Sequence, residues 1–265
     1  MSLSLAFSPC PNDTFVFHAL AHGLVEGAPP VDVTYADVDV TNTEALGGTY
    51  DLVKVSYAAL PWLLDRYALL PCGGALGYGC GPLVLTKGGP VTGTVAVPGD
   101  RTTAYLLFRL WSAGTPPQDI EVVPFHEIMP GVAEGRYGAG LVIHEARFTY
   151  QRYGLTAVAD LGEWWQEETG LPIPLGAILA KRDTVDPAQA AEWVRASVRH
   201  AWAYPAASHD YVLEHSQELE PDVVAQHIAL YVNKFTEDLG DEGHNAVRTL
   251  LRRAADAGLT PASDL

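Results

Sequence analysis

The stretch "GPLVLTKGGPVTGTVAVP", residues 81 to 98, carries two strand-like apolar runs in succession, "GPLVLTK" (81–87) and "GTVAVP" (93–98), with no helix between them. Everywhere else the first two thirds of the chain alternate strand and helix. "LSLAF" (3–7) precedes a helical "NDTFVFHALAHGLV" (12–25), with Asn12 or Asp13 as N-cap. "VDVTYADV" (31–38) alternates like a strand, "NTEALGGTY" (42–50) reads as a short helix, and "DLVKVS" (51–56) leads into a helical "YAALPWLLDRY" (57–67). Beyond residue 98 the order is helix "TAYLLFRLWSAG", strand "IEVVPF", helix "EIMPGVAEGRY", strand "AGLVI" and, later, strand "LGAILAK" (175–181). From Asp186 onward the pattern is helical.

Alternating βαβ units imply an α/β fold whose mostly parallel sheet is covered by helices on both faces. The helix-free succession at 81–98 is what a chain leaving one sheet for another produces, and "TGLPIPLG" before strand 175–181 resembles the return. The expected organisation is therefore a discontinuous lobe, residues 1–88 plus 180–265 with a helical C-terminal part, around an inserted lobe, residues 89–179. A ligand cleft lies between them.

With 16 basic against 32 acidic residues, net charge −16, there is no basic face to neutralise nucleic-acid phosphates or an anionic bilayer. An anionic small molecule remains open, because a few backbone N–H groups and one or two cations bind it locally. The N-terminus lacks a basic segment followed by an apolar core, and no run reaches the roughly 18 apolar residues that span a bilayer, so a cytoplasmic location is expected. Cys10, Cys72 and Cys80 have neither disulfide-framework nor zinc spacing.

Ligands in open parallel sheets bind beyond the carboxyl ends of strands. Here those ends are Ser8 to Asp13, Lys54 to Ser56, Asp100 to Thr103 and His144 to Arg147, all rich in hydroxyl, amide or ionisable groups. Thr102 and Thr103 open a helix after Gly99, which suits an anion as well as a simple Thr cap. In "SPCPND", Ser8 and Asn12 offer hydrogen bonds from a proline-stiffened loop, or merely a rigid turn. Cys10, between two prolines, reads as a buried inert thiol.

His144 ends the apolar run "GLVI" and is followed by Glu145 and Arg147. A structural imidazole, a metal ligand and a general base are all open to it. The zinc signature H-E-x-x-H is absent, because Phe148 stands at its second histidine. His18 and His22, at i and i+4, have no third ligand in view, and the histidines of the helical tail carry no pattern. No metal site is expected. "GYGCGP" leads into a strand and is no dinucleotide fingerprint. Glu145 and Arg147 are expected to pair with each other, or to orient His144.

Taken in order, "FSPCPNDTFVFHAL", "KVSYAAL", "GGALGYGCGPLV", "VPGDRTTAY", "GLVIHEARFTYQRYGL", "GLPIPLGAILAKRD" and "YVNKF" (231–235) resemble the 1,4-dihydroxy-6-naphthoate synthase family of the futalosine route to menaquinone. The resemblance covers nearly the whole chain. It implies a two-lobed periplasmic-binding-protein-like fold of type II and a cofactor-independent carbon–carbon lyase. The implied reaction converts cyclic dehypoxanthine futalosine, a small anionic aromatic precursor, into 1,4-dihydroxy-6-naphthoate plus a sugar-derived fragment. It also implies His144 as proton acceptor and Lys54, Val55, Ser56, Thr103 and Ala104 as substrate-binding positions, with Val55 contributing mainly backbone. The chain is expected to act as a monomer or homodimer. Chorismate dehydratase of the same pathway and a non-catalytic binding protein of the same fold are the competing readings; "IHEARF" speaks against the first and the missing export signal against the second.

Overall fold

The computed structural model describes residues 2–114, 119–216, 220–263 and 265. The chain opens with β1 (Leu3–Phe7), α1 (Pro11–Ala21), β2 (Val31–Tyr35), α2 (Val38–Gly47) and β3 (Leu52–Ser56). A 3₁₀ stretch (Tyr57–Trp62) then leads to β4 (Tyr67–Leu69) and β5 (Ala75–Gly77). A second group follows: β6 (Leu83–Thr86), β7 (Thr94–Val97), α3 (Thr103–Trp111), β8 (Asp119–Val122), α4 (Phe125–Glu134) and β9 (Ala139–Val142). It continues with α5 (Ala146–Thr149), β10 (Thr156–Asp160) and α6 (Leu161–Thr169). The long strand β11 (Ile173–Lys181) precedes the helices α7 (Pro187–Ala203), α8 (His209–His215), α9 (Pro221–Tyr231), α10 (Lys234–Glu237) and α11 (Gly240–Asp256).

Two mixed sheets result. The first has the order β2-β1-β3-β11-β4, with β5 also paired to β11; β1 runs parallel to β2 and β3, and β11 antiparallel to β3, β4 and β5. The second has the order β10-β6-β9-β7-β8, with β7 parallel to β8 and β9, and β6 antiparallel to β9 and β10. The two sheets with their helices make the α/β architecture two-lobed. β3 is buried along its whole length and its sequence, LVKVS, is apolar except for one lysine and a serine, as expected of a strand covered on both faces. α11 shows the amphipathic counterpart. Its buried Ala246, Val247, Leu250, Leu251 and Ala254 form one stripe, with Asp241 and Glu242 at the positive end of the helix dipole.

The expected seams at 88/89 and 179/180 move. β6 bonds on both edges within the second sheet and β11 lies within the first, so the chain changes sheets between β5 and β6, and again between α6 and β11. The turn 87–93, with Gly88, Gly89 and Gly93 at positive φ, connects two strands of one sheet. The first crossing is instead marked by Gly81, where a Cβ would stand 2.1 Å from the Gly162 nitrogen at the start of α6. Only the absence of a side chain lets these two backbones touch.

Other elements differ at their ends. α1 starts at Pro11 with Cys10 as N-cap, not Asn12 or Asp13, because proline is preformed for the first helical position. α2 begins at Val38 and shortens the strand before it to 31–35. The helix expected over 57–67 is the 3₁₀ stretch followed by a turn into β4; Pro61 lacks the N–H that a continuing α-helix would use.

Candidate active site

Four strand ends converge on one cavity with an empty volume of about 590 Å³, open solvent at its mouth included. Ser8, Cys10, Asn12 and Asp13 follow β1, and Lys54 and Ser56 end β3. Thr102, Thr103 and Ala104 follow β7, while Ile143 and His144 follow β9. Leu175 and Gly176 of β11 and His227 and Tyr231 of α9 complete much of the wall. Both sheets contribute, so the cavity lies in the cleft between lobes.

Lys54 and Ser56 share the cavity face of β3. The intervening Val55 points the other way into the apolar core, fully buried, and is not among the lining residues. Lys54 Nζ donates to Asp13 Oδ1 in a buried ion pair. Burial pushes the Asp13 carboxyl upward, and Lys54 opposes that shift. Gly176 makes this geometry possible: a Cβ there would meet Lys54 Cε at 2.8 Å.

From Asp13 a chain of hydrogen bonds crosses the floor. Asn12 Nδ2 donates to Asp13 Oδ1 at 2.8 Å, which orients the carboxamide so that Asn12 Oδ1 accepts from His227 Nε2 at 2.8 Å. The Cys10 thiol also donates to Asn12 Oδ1 at 3.0 Å. Burial pushes that thiol well up, so it is a neutral wall group rather than a nucleophile. Asn12 thus organises the site, and both ends of its amide are engaged.

On the facing side, the Thr102 hydroxyl accepts from Tyr105 N at 3.2 Å and donates to Gly99 O at 2.9 Å; it is a helix cap. The backbone N–H groups of Thr103 and Ala104, in the first turn of α3, are the ones a helix leaves without intrahelical acceptors. The Thr103 hydroxyl donates to Leu175 O at 2.8 Å and accepts from Ala58 N at 3.2 Å, joining the second unit to the first. The Ser56 hydroxyl accepts from Asn42 Nδ2 at 3.1 Å, and among the described residues no acceptor takes its own proton.

His144 is the only non-glycine residue at positive φ among the described residues, with φ of 56°. A left-handed β-unbranched residue costs about 1–2 kcal/mol and persists where the surroundings enforce it. Its side chain is 25% exposed and lines the cavity, and its Nδ1 lies 4.0 Å from Glu145 Oε2. Burial, aided by the Lys54 charge, pushes the imidazole down to about 4. At neutral pH it is therefore uncharged and able to accept a proton.

Arg147 does not pair with Glu145. Residues two apart on a helix point to opposite sides, and Arg147 instead bonds Asp160 Oδ2 and the Gly81 carbonyl at 2.9 Å. Asp160 also caps α6, accepting from Gly162 N at 2.9 Å. The segment after His144 is thereby tied to the first sheet crossing. Glu145 Oε2 lies 3.8 Å from His227 Nδ1.

His227 and Tyr231 had no place among the residues expected in the site. Their signal was present: Val223, Val224, His227 and Tyr231 recur on the buried face of α9, and an imidazole on an apolar stripe needs a polar partner inside. The His18 and His22 rings lie 4.4 Å apart, tilted by 35°, near His200, and no group of three metal-ligating side chains forms among the described residues.

Residues 3–256 match a family model described as menaquinone biosynthesis. The chain belongs to that family. Two members of this menaquinone-biosynthesis family match at nearly full length, both named 1,4-dihydroxy-6-naphtoate synthase. The Streptomyces coelicolor protein is 62% identical over 98% of this chain and 95% of its own. The Thermus thermophilus protein is 49% identical over 99% and 97%. An Archaeoglobus fulgidus crystal structure superposes with a TM-score of 0.90 at 31% identity, covering 97% of this chain and 98% of that one. The alkanesulfonate-binding protein of Xanthomonas axonopodis pv. citri, bound to MOPS, shares only the fold, with a TM-score of 0.73 at 15% identity over 98% and 94%. That fold is the periplasmic-binding-protein one. Among the described residues no helix is long and apolar enough to cross a membrane.

Proposed function

We propose that this chain cleaves cyclic dehypoxanthine futalosine to 1,4-dihydroxy-6-naphthoate and a sugar-derived fragment, with neutral His144 as the proton acceptor. The observation that carries this reading is His144 itself. It is an uncharged imidazole in a strained left-handed conformation, on the wall of the cavity that Lys54, Ser56 and the first turn of α3 also line. The names of the two bacterial relatives support the substrate.

The chemistry asks little else of the protein. Removal of one proton lets the ring aromatise as the carbon–carbon bond breaks, so product aromaticity supplies the driving force. His144 takes the proton, and the imidazolium that forms has the Glu145 carboxyl nearby at 4.0 Å. Fixed donors stabilise the charge developing on oxygen without reorganising. Ser56 has a proton to give, and the Thr103 and Ala104 amides suit the substrate carboxylate. Val55 contributes at most main-chain contacts. Ser8 and Asn12 shape the floor, and Thr102 acts through the helix it caps. No step in this scheme uses a metal or a redox cofactor.

The test is turnover. Wild-type protein and the His144→Ala variant are incubated with the cyclic substrate and chelator, and the naphthoate is followed by chromatography. Product from the wild type and at least a hundredfold less from a folded variant is expected, the usual loss with a general base. Equal product from both would remove His144 as the base. No product from the wild type, beside an active control enzyme, would remove the lyase, with chorismate the next substrate to try. The same protein sized in solution distinguishes monomer from homodimer.

A further inference from the structure

His227 is buried to 1% exposure, yet it lines the cavity. Its Nε2 is 2.8 Å from Asn12 Oδ1, an atom whose acceptor character is set by the bond that Asn12 Nδ2 gives Asp13. Nε2 therefore carries the proton, and Nδ1 carries a lone pair. That lone pair is buried and has no hydrogen-bond partner among the described residues. An unsatisfied buried acceptor is costly, so a folded protein keeps one for a reason. A glutamine at position 227 would serve Asn12 equally well, because its amide nitrogen reaches where Nε2 does. The tie to Asn12 thus accounts for one nitrogen and leaves the other unexplained.

The surroundings say what the second nitrogen can take. The His227 ring lies 6.3 Å from that of His144, nearly perpendicular at 71°, and 4.6 Å from Tyr231. Glu145 Oε2 stands 3.8 Å from Nδ1. Burial, with His144 and Lys54 close by, keeps the imidazole far below its ordinary value, so it is neutral. A neutral acceptor among a carboxyl and two rings does not recognise an anion. It recognises a donor.

We propose that His227 is a substrate-contacting residue, its Nδ1 accepting a hydrogen bond from a ligand hydroxyl and so holding that hydroxyl beside His144. The inference rests on the lyase reading, and it adds a recognition element for the hydroxyl side of the ligand, in the same cavity as the amides suited to the carboxylate. Lys54, Asp13 and Asn12 then form a relay whose role is to fix the tautomer of His227, which makes them positioning residues for it.

Two variants separate contact from scaffold. His227→Gln keeps a donor toward Asn12 and loses the acceptor at the δ position; His227→Asn keeps a polar atom at δ and loses the reach to Asn12. With 1,4-dihydroxy-6-naphthoate as probe, calorimetry on folded His227→Gln is expected to give a Kd about tenfold weaker than wild type, the factor for one lost hydrogen bond. kcat/KM falls at least as far, and His227→Asn recovers part of the affinity. A folded His227→Gln that binds product within twofold of wild type overturns the proposal. If the variants do not fold, a wild-type crystal structure with the naphthoate decides. A ligand oxygen within about 3.2 Å of His227 Nδ1 is expected, and none within about 4 Å overturns the contact. Wild-type turnover, run alongside, keeps the two readings apart. An active wild type with an indifferent His227→Gln sinks only this inference, whereas an inactive wild type sinks the lyase and this inference with it.

Discussion

Replacing His144 by alanine and, separately, by glycine divides its chemistry from its backbone. Both variants lack the imidazole and leave nearly the same void, so lost packing largely cancels between them. What differs is the cost of holding φ at 56°. An alanine there retains the left-handed penalty of about 1–2 kcal/mol, while glycine is free of it. Against this, glycine has the more mobile unfolded chain, which favours alanine by about 0.4–1 kcal/mol. On central values the difference leaves His144→Gly more stable than His144→Ala by about 0.8 kcal/mol. Urea unfolding at neutral pH, with equal slopes for the two variants, measures it as a shift in midpoint. Both proteins are expected to be inactive, and added imidazole is expected to restore more turnover than it does in wild type. Equal stability, or a more stable alanine variant, would refute the claim that the chain holds strain at this residue.

Other outcomes follow from the same geometry. Asp13→Asn leaves the Lys54 ammonium without its buried carboxylate and is expected to lower stability by about 3–5 kcal/mol, measured by denaturant unfolding; a loss below 1 kcal/mol would mean that the pair is solvated. Gly81→Ala places a methyl against the Gly162 backbone and is expected to cost about 1–3 kcal/mol or more, seen as a lowered thermal midpoint, whereas an unchanged midpoint would show that the crossing has slack. His144 titrates at about 4 when folded against an ordinary 6.5, so between those values the unfolded chain binds more protons. Stability is then full above pH 6.5 and falls as pH drops through 4, by up to about 3 kcal/mol from this residue, with His227 acting in the same direction. Unfolding curves from pH 4 to 8 test this, and the sign of the slope fails to match if His144 is charged in the folded state.

The strand ends were legible because each is an apolar run broken by a small or ionisable residue, and four such breaks at Ser8, Lys54, Thr102 and His144 meet in one cavity. The rule about carboxyl ends of strands needs only local order, which hydrophobic patterning supplies. Sheet membership was less legible. "GPLVLTK" is equally apolar in either lobe, and its place is decided by pairing with β9 and β10, whose residues lie about sixty and seventy positions later. The short strands β4, β5 and β10 fell out for a related reason, since runs of three to five residues carry too few repeats to show a period. His227 was hidden by distance: its partner Asn12 is 215 residues away, and only the packing of α9 brings them together. The pairing of Glu145 with Arg147 failed on helical geometry that the two-residue spacing already contained.

Thr103 does two jobs with two different parts of itself. Its hydroxyl has one proton, and that proton goes to the Leu175 carbonyl while the oxygen receives the Ala58 amide. Its own amide, at the start of α3, has no acceptor within the helix. The joint between the lobes belongs to the side chain, and in the proposed reading the grip on an anion belongs to the main chain. Serine at this position would keep both, and alanine would undo the joint alone. Lobe stiffness can therefore drift over generations, softened or tightened by one hydroxyl, while the amides proposed for the ligand stay as they are.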